Sequence, residues 1–149
     1  MERLIDSLKR GIRIPERQNR AAGRDAGRSV PDQEDLVSAV NVTKGVEIAS
    51  RVTWAGTSEA RRRGLLGKNR IETDEGMYIV PTQWIHMFGM RFPIDVAFLA
   101  EDGTVLFVHH KLKPNRLSRL VWRAAGALEL APGALEKTDT TVGDVIELR

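Results

Sequence analysis

The chain has 149 residues, of which 42% are hydrophobic and 29% charged, and it carries a net charge of +3 without any cysteine. Length and composition favour one globular domain, and the lack of cysteine excludes a disulfide framework, a thiolate metal site and a cysteine nucleophile. The first ten residues are too charged for a secretory signal, and no apolar run approaches the roughly 18 residues that span a bilayer. We therefore expect a soluble, cytoplasmic protein without a transmembrane segment.

The positive charge is concentrated at the N-terminus. Residues 1–28 contain eight basic and four acidic side chains, whereas the remaining residues contain fifteen basic and sixteen acidic ones. From residue 11 to residue 35 few large apolar groups are available to offset the entropy of ordering the backbone. We predict a flexible basic arm at 1–35 and a compact β-rich domain at 36–149. Leu4, Ile5 and Leu8 favour a short helix at 2–10, either frayed or docked on a partner or on the body.

The domain shows the pattern of short strands separated by turns. Apolar–polar alternation, β-branched residues and flanking Gly or Pro predict strands at 46–54, 76–81, 94–100, 104–109, 127–131 and 144–148. The triplet 101–103, which ends in Gly103, has the length of a hairpin turn. A main helix is predicted at about 57–67, capped by Thr57 or Ser58 and stopped by Gly67, and a second short turn at 133–137.

These elements indicate an α+β fold that is mainly β. Because helices and strands do not alternate regularly, a parallel doubly wound sheet is disfavoured. We expect a small barrel or two curled antiparallel sheets of about six to eight short strands, with the main helix plugging one end. The oligomeric state does not follow from the sequence.

Several motifs resemble a known family. They are Arg63-Gly64-Leu65-Leu66-Gly67, Glu75-Gly76-Met77, the block from Met90 to Phe98, the segment from Leu128 to Gly133, and Val142-Gly143-Asp144. In this order they resemble the domain-of-unknown-function family DUF192. The resemblance implies a compact, β-rich single domain and no assigned activity. We expect the chain to depart from exported members of that family, with a basic arm and no export signal.

Two carboxylates are placed where polar groups are costly. Asp95 interrupts the apolar stretch 92–99, so backbone amides or the guanidinium of Arg91 must satisfy it, or it lines a pocket with His86 and Arg91. Glu129 lies between two leucines, which places it on the opposite side of its strand from them. That side is either the solvated face of the sheet or an open barrel mouth in which Glu129 meets Asp95.

The leading functional hypothesis is a non-catalytic binding module. Its cleft would involve His86, Met90, Arg91 and Asp95, be roofed by 63–67 including Arg63, and take a small anion or a peptide end. The alternative is a hydrolase-like enzyme with His86 and Asp95 as acid and base. No phosphate-binding glycine loop, nucleophile elbow or zinc-protease motif is present, which weighs against an enzyme of the common classes. No cofactor is expected.

A metal site is not expected either. His86, Met87 and Met90 are soft ligands close in sequence, but on a strand His86 and Met90 would lie roughly 13 Å apart. Methionine is more often adaptable core packing.

A third hypothesis concerns basic residues near the C-terminal half of the domain. The basic surface consists of Lys111, Lys113, Arg116, Arg119 and Arg123, and the segment between Asp102 and Glu129 has no acid. With Trp122 for stacking, the 111–123 loop and the arm could contact nucleic acid or an anionic membrane. We favour the other interpretation, a solvated loop with Trp122 tucked into the core.

The arm hypothesis predicts the effect of a deletion. Removal of residues 1–35 should leave the melting temperature and the oligomeric mass unchanged, because a charged, weakly apolar segment adds little packing. Thermal unfolding and light scattering measure both. A melt lowered by several degrees, or a dimer converted to a monomer, would instead identify the arm as a structural element.

Overall fold

Seven strands form one curled sheet in the structure, a computed structural model that describes residues 36–57, 60 and 64–149. A short helix, α1 (Ala134–Lys137), packs beside it. The expected mainly β fold class is confirmed, whereas the basic arm and its helix at 2–10 lie outside the described residues. The strands are β1 (Leu36–Asn41), β2 (Val46–Ala55), β3 (Glu75–Ile79), β4 (Ile94–Leu99), β5 (Val105–Leu112), β6 (Gly126–Leu130) and β7 (Ile146–Leu148).

The strand order across the sheet is β5-β4-β6-β3-β2-β1-β7. All neighbouring pairs are antiparallel except β2 and β3, which run parallel. The sequence predicts antiparallel pairing and therefore does not anticipate the parallel pair β2–β3. Because parallel neighbours cannot be joined by a tight turn, residues 56–74 carry the chain back from the end of β2 to the start of β3.

The sheet curls until its two edge strands meet at one end. Thr104, just before β5, forms an isolated bridge with Val145, just before β7. The Ile146 amide donates to the Gly103 carbonyl at 2.9 Å, and the Val105 amide donates to the Asp144 carbonyl at 2.8 Å. This contact turns the open sheet into a partly closed barrel, within the range of architectures that the sequence predicts.

All six strands predicted from the sequence are present, with ends shifted by a few residues. β1 was not predicted, although the compact region was expected to begin at Leu36. Of the main helix expected at 57–67, residues 58, 59 and 61–63 lie outside the described part. Two hydrogen bonds among its described residues have the spacing of a capped helical turn. The Ala60 amide donates to Thr57 Oγ1 at 3.0 Å, and the Gly64 amide donates to the Ala60 carbonyl at 2.9 Å.

Both faces of the sheet centre are covered. Alternate residues of the central strands enter two separate apolar clusters: Ala97 and Leu128 belong to the first, Val96 and Ala127 to the second. The first cluster includes residues of both edge strands, Val105 and Ile146, and also Leu135 of α1. Loop residues such as Ile85, Met87 and Leu112 complete the second. Consequently every residue of β4 and β6 is buried, as in strands packed on two sides.

The barrel contact can be tested with two glycines of similar conformation. Gly103 has φ +86° and Gly143 has φ +95°, so alanine carries a comparable backbone cost at both. A Cβ at Gly103 would overlap the Ile146 carbonyl oxygen, whereas one at Gly143 would meet nothing within 4 Å.

We therefore expect Gly103→Ala to lower the free energy of unfolding by about 2 kcal/mol more than Gly143→Ala, the added cost of steric overlap. Urea unfolding of both variants measures the difference. Equal losses of unfolding free energy in the two variants would show that the contact between the ends of β5 and β7 can shift to admit the added Cβ and adds little stability.

Candidate functional site

A cleft of about 270 Å³ opens over the second face of the sheet. Its floor is Glu129 on β6 together with Ile79 at the end of β3. One wall is formed by residues of the β2–β3 connection, including Leu65 and Leu66. The opposite wall comes from residues 81–90 and includes aromatic and apolar side chains as well as His86. The lining of the cleft is therefore mostly apolar around one carboxyl group.

Glu129 is the most unusual residue of the cleft. It is 6% exposed, and it pairs with Val96 of β4, so both side chains point to the second face. Its carboxyl group forms no hydrogen bond or ion pair with any residue that the structure describes. Burial raises the pKa of this carboxyl to about 7. The interpretation of Glu129 as an ordinary solvated residue is corrected, because loops cover the face that it occupies.

Asp95 is buried in a different environment, on the other face of the sheet. It pairs with Leu130 of β6, which points away from Glu129. Its Oδ1 accepts from the Lys111 amide at 2.9 Å and its Oδ2 from the Leu135 amide at 3.0 Å. The residue has no solvent exposure. Backbone amides thus satisfy Asp95, one of the two alternatives left open by the sequence.

The local backbone explains why an aspartate is needed there. Ile94 pairs with Leu112 and Val96 with His109, so two residues of β5 stand opposite Asp95 and form a bulge. Lys111, in that bulge, has φ +50°, a conformation that costs a non-glycine residue free energy. The hydrogen bond from its amide to Asp95 compensates for part of this cost. Asp95 therefore supports the connection between β4, β5 and α1.

The structure brings together only part of the predicted site. His86, Met90 and Glu129 line the same cleft, whereas Asp95 does not, so Glu129 and Asp95 do not meet. The His86–Asp95 acid–base pair of the hydrolase hypothesis likewise does not form. Arg91 is exposed and donates to Asn69 Oδ1 at 2.5 Å, outside the cleft lining.

Arg63, expected in the roof, lies outside the described residues. Its neighbours Gly64, Leu65 and Leu66 do line the cleft.

The soft ligands of the His86–Met90 segment are divided between the cleft and the core, since His86 and Met90 line the cleft and Met87 does not. The ring of His86 stacks on Phe88 with centroids 5.4 Å apart, and Met87 is buried in the second cluster. In the described part of the chain no three His, Cys, Asp or Glu side chains are grouped closely enough to hold a metal ion.

The basic surface is exposed, as is Trp122 beside it. Lys111, Lys113, Arg116, Arg119 and Arg123 are all exposed. The guanidinium of Arg119 lies 5.3 Å from the centroid of the Phe107 ring. Trp122 is 76% exposed, so the expectation that it is tucked into the core is wrong.

The fold and sequence together define a small β-rich domain of the class suggested by the motifs. A family model for DUF192, described as "Uncharacterized ACR", matches residues 39–148. The chain belongs to this family. No protein of curated function matches the sequence. No helix in the described part of the chain is long and apolar enough to cross a membrane.

Two crystal structures are similar to this fold. One is a protein from Sinorhizobium meliloti 1021 named as a "putative transcription regulator", with 26% identity, a TM-score of 0.63, and coverage of 75% of this chain and 91% of that chain. The other is a protein of unknown function from Novosphingobium aromaticivorans DSM 12444, with 21% identity, a TM-score of 0.67, and coverage of 85% and 99%. The second likeness concerns the fold alone.

The buried carboxyl makes stability depend on pH in a defined direction. Folded Glu129 keeps its proton up to about pH 7, whereas the unfolded chain releases it near 4.5. Because the folded state binds more protons in this interval, the free energy of unfolding falls as the pH rises from 4.5 through 7. The total loss from this group is roughly 3 kcal/mol.

Glu129→Gln should remove this part of the slope, since the amide does not ionise. Urea unfolding at several pH values compares the variant with the wild type and with Glu136→Gln, which changes an exposed carboxylate on α1. The control should keep the wild-type slope. If Glu129→Gln keeps it as well, the carboxyl is not held in an apolar environment.

Proposed function

We propose that this protein is a small-ligand binding module whose cleft takes a molecule with a protonated amine and an apolar body. The observation that carries the proposal is Glu129: a buried carboxyl without a partner among the described residues, at the floor of a mostly apolar cleft. Leaving a carboxyl unpaired in such a place costs stability. A ligand that donates hydrogen bonds and carries positive charge offsets that cost in the bound state.

The charge of the floor favours a cationic group over an anion. An ionised carboxylate only accepts hydrogen bonds and repels anions. Arg91, one of the two arginines expected from the sequence to bind an anion, donates to Asn69 outside the cleft. We therefore propose an amine in place of the small anion expected from the sequence. A peptide end remains compatible with the proposal if it is the amino end.

The walls of the cleft suit the apolar body of such a ligand. Leu65, Trp84 and Met90 present aliphatic, aromatic and thioether groups to the cleft, which bind an apolar body without directional requirements. His86 and Thr82 add polar groups at its edge. A few polar groups within a mainly apolar lining are typical of small-molecule sites. Because the cation prefers the ionised carboxylate, binding should release the proton of Glu129 below about pH 7.

Three isosteric probes test the proposal. 3-Methylbutylamine should bind, 3-methylbutanoate should not, and 3-methylbutan-1-ol should bind more weakly than the amine, since only the amine brings a positive charge to Glu129. Affinity for the amine should rise about tenfold from about pH 6 to about pH 8 as the carboxyl ionises. Isothermal titration calorimetry measures the affinity of each probe at both pH values and the number of protons released on binding.

Glu129→Gln should lose the preference for the amine and the pH dependence, while Glu136→Gln, outside the cleft, should bind as the wild type does. Equal affinity of the amine for wild type and Glu129→Gln would refute the role of the carboxyl. Tighter binding of the carboxylate probe would restore the anion hypothesis.

A further inference from the structure

Large apolar side chains surround the mouth of the cleft and face solvent. We call Leu66, Trp84, Phe88, Leu117 and Trp122 the apolar rim. Trp122 is 76% exposed and the other four are between 41% and 57% exposed. A concentration of exposed large apolar groups on one side of a domain is unusual and marks a contact surface.

The geometry places the rim residues on one side. Trp84, His86 and Phe88 occupy alternate positions and are all exposed, and the rings of Trp84 and Phe88 both contact that of His86. Leu117 stands opposite His86 in an antiparallel bridge, so their side chains share a side. Trp84 lines the cleft with Leu66 and a neighbouring cavity with Trp122. The rim is therefore continuous across the cleft mouth.

The basic surface adjoins the rim. Arg116 precedes Leu117, and Arg123 lines the same cavity as Trp84 and Trp122. The five cations of this surface form no ion pair with any carboxylate in the described residues, whereas Lys44 and Arg51 elsewhere on the domain do. Glu101 is the acid that lines this cavity. The surface thus combines exposed apolar groups with positive charge that the described part of the domain leaves unpaired.

We infer that the rim and the adjoining basic surface dock this domain on an anionic lipid bilayer. Tryptophan and phenylalanine partition to the boundary between headgroups and acyl chains, while lysine and arginine contact anionic headgroups. The two leucines of the apolar rim, Leu66 and Leu117, favour a bilayer over a nucleic acid as the partner. Stacking on bases needs a planar ring or a guanidinium, and nucleic-acid interfaces are predominantly polar. This inference does not depend on the ligand of the cleft.

Tryptophan fluorescence provides a test that the basic arm cannot mimic. All three tryptophans, Trp54, Trp84 and Trp122, lie outside residues 1–35, so quenching by lipids with brominated acyl chains reports insertion of the domain itself. The full chain is mixed with vesicles of phosphatidylcholine alone or of phosphatidylcholine and phosphatidylglycerol in equal amounts. We expect quenching and a blue shift only with the anionic vesicles, both weakened by salt.

Substitutions locate the contact. Trp122→Ser should remove much of the quenching, and Arg116→Gln with Arg123→Gln should weaken partitioning into anionic vesicles about 30-fold. The controls are Val142→Ser, an exposed apolar residue outside the rim, and Lys137→Gln, an exposed cation of α1. Both should behave as the wild type.

Absence of quenching by brominated anionic vesicles overturns the inference. If a single-stranded oligoribonucleotide shifts the tryptophan fluorescence while the vesicles do not, the surface binds nucleic acid instead. Equal partitioning of the wild type and the double arginine variant also overturns it, because the arm would then account for all of the binding.

Discussion

The burial of β4 and β6 on both faces is the constraint on which the rest of the structure depends. Every side chain of these strands is removed from solvent, so each polar group on them must find a partner or lower the stability of the fold. Asp95 finds two backbone amides and joins β4 to the β5 bulge and to α1. Glu129 finds none in the described part of the chain and instead lines a cleft. Two carboxyl groups on neighbouring strands are therefore buried in opposite environments, one bonded to backbone amides and one lining a cleft.

The sequence pattern is informative where structure is local. Alternating residues predict β2, and the turn at Gly103 is correctly placed between β4 and β5. β1 escapes prediction because its short run Leu36-Val-Ser-Ala-Val-Asn41 has weak alternation and borders a polar segment. The parallel pairing of β2 with β3 also escapes, since the choice between neighbours depends on the whole sheet and not on either strand.

The candidate site shows the same difference between local features, which the sequence predicts, and long-range contacts, which it does not. Alternation identifies correctly that Glu129 opposes Leu128 and Leu130, but it does not show that distant loops cover that face. The partners of Asp95 are amides 16 and 40 residues further along the chain, so no local pattern identifies them. Trp122 was expected in the core because large aromatic residues usually are, and only the assembled surface shows otherwise. The sequence therefore indicates which side chains share a face of a strand, but not what packs against that face.

The parallel pairing of β2 and β3 has a consequence for how such domains can diverge. It requires a long crossover, and the crossover contributes Leu65 and Leu66 to one wall of the cleft, while the floor residue Glu129 belongs to the central sheet. Changes of length or sequence in the crossover alter the shape of the site without disturbing any ladder of hydrogen bonds. Relatives with the same sheet can therefore differ in the shape of this cleft through a single connecting segment.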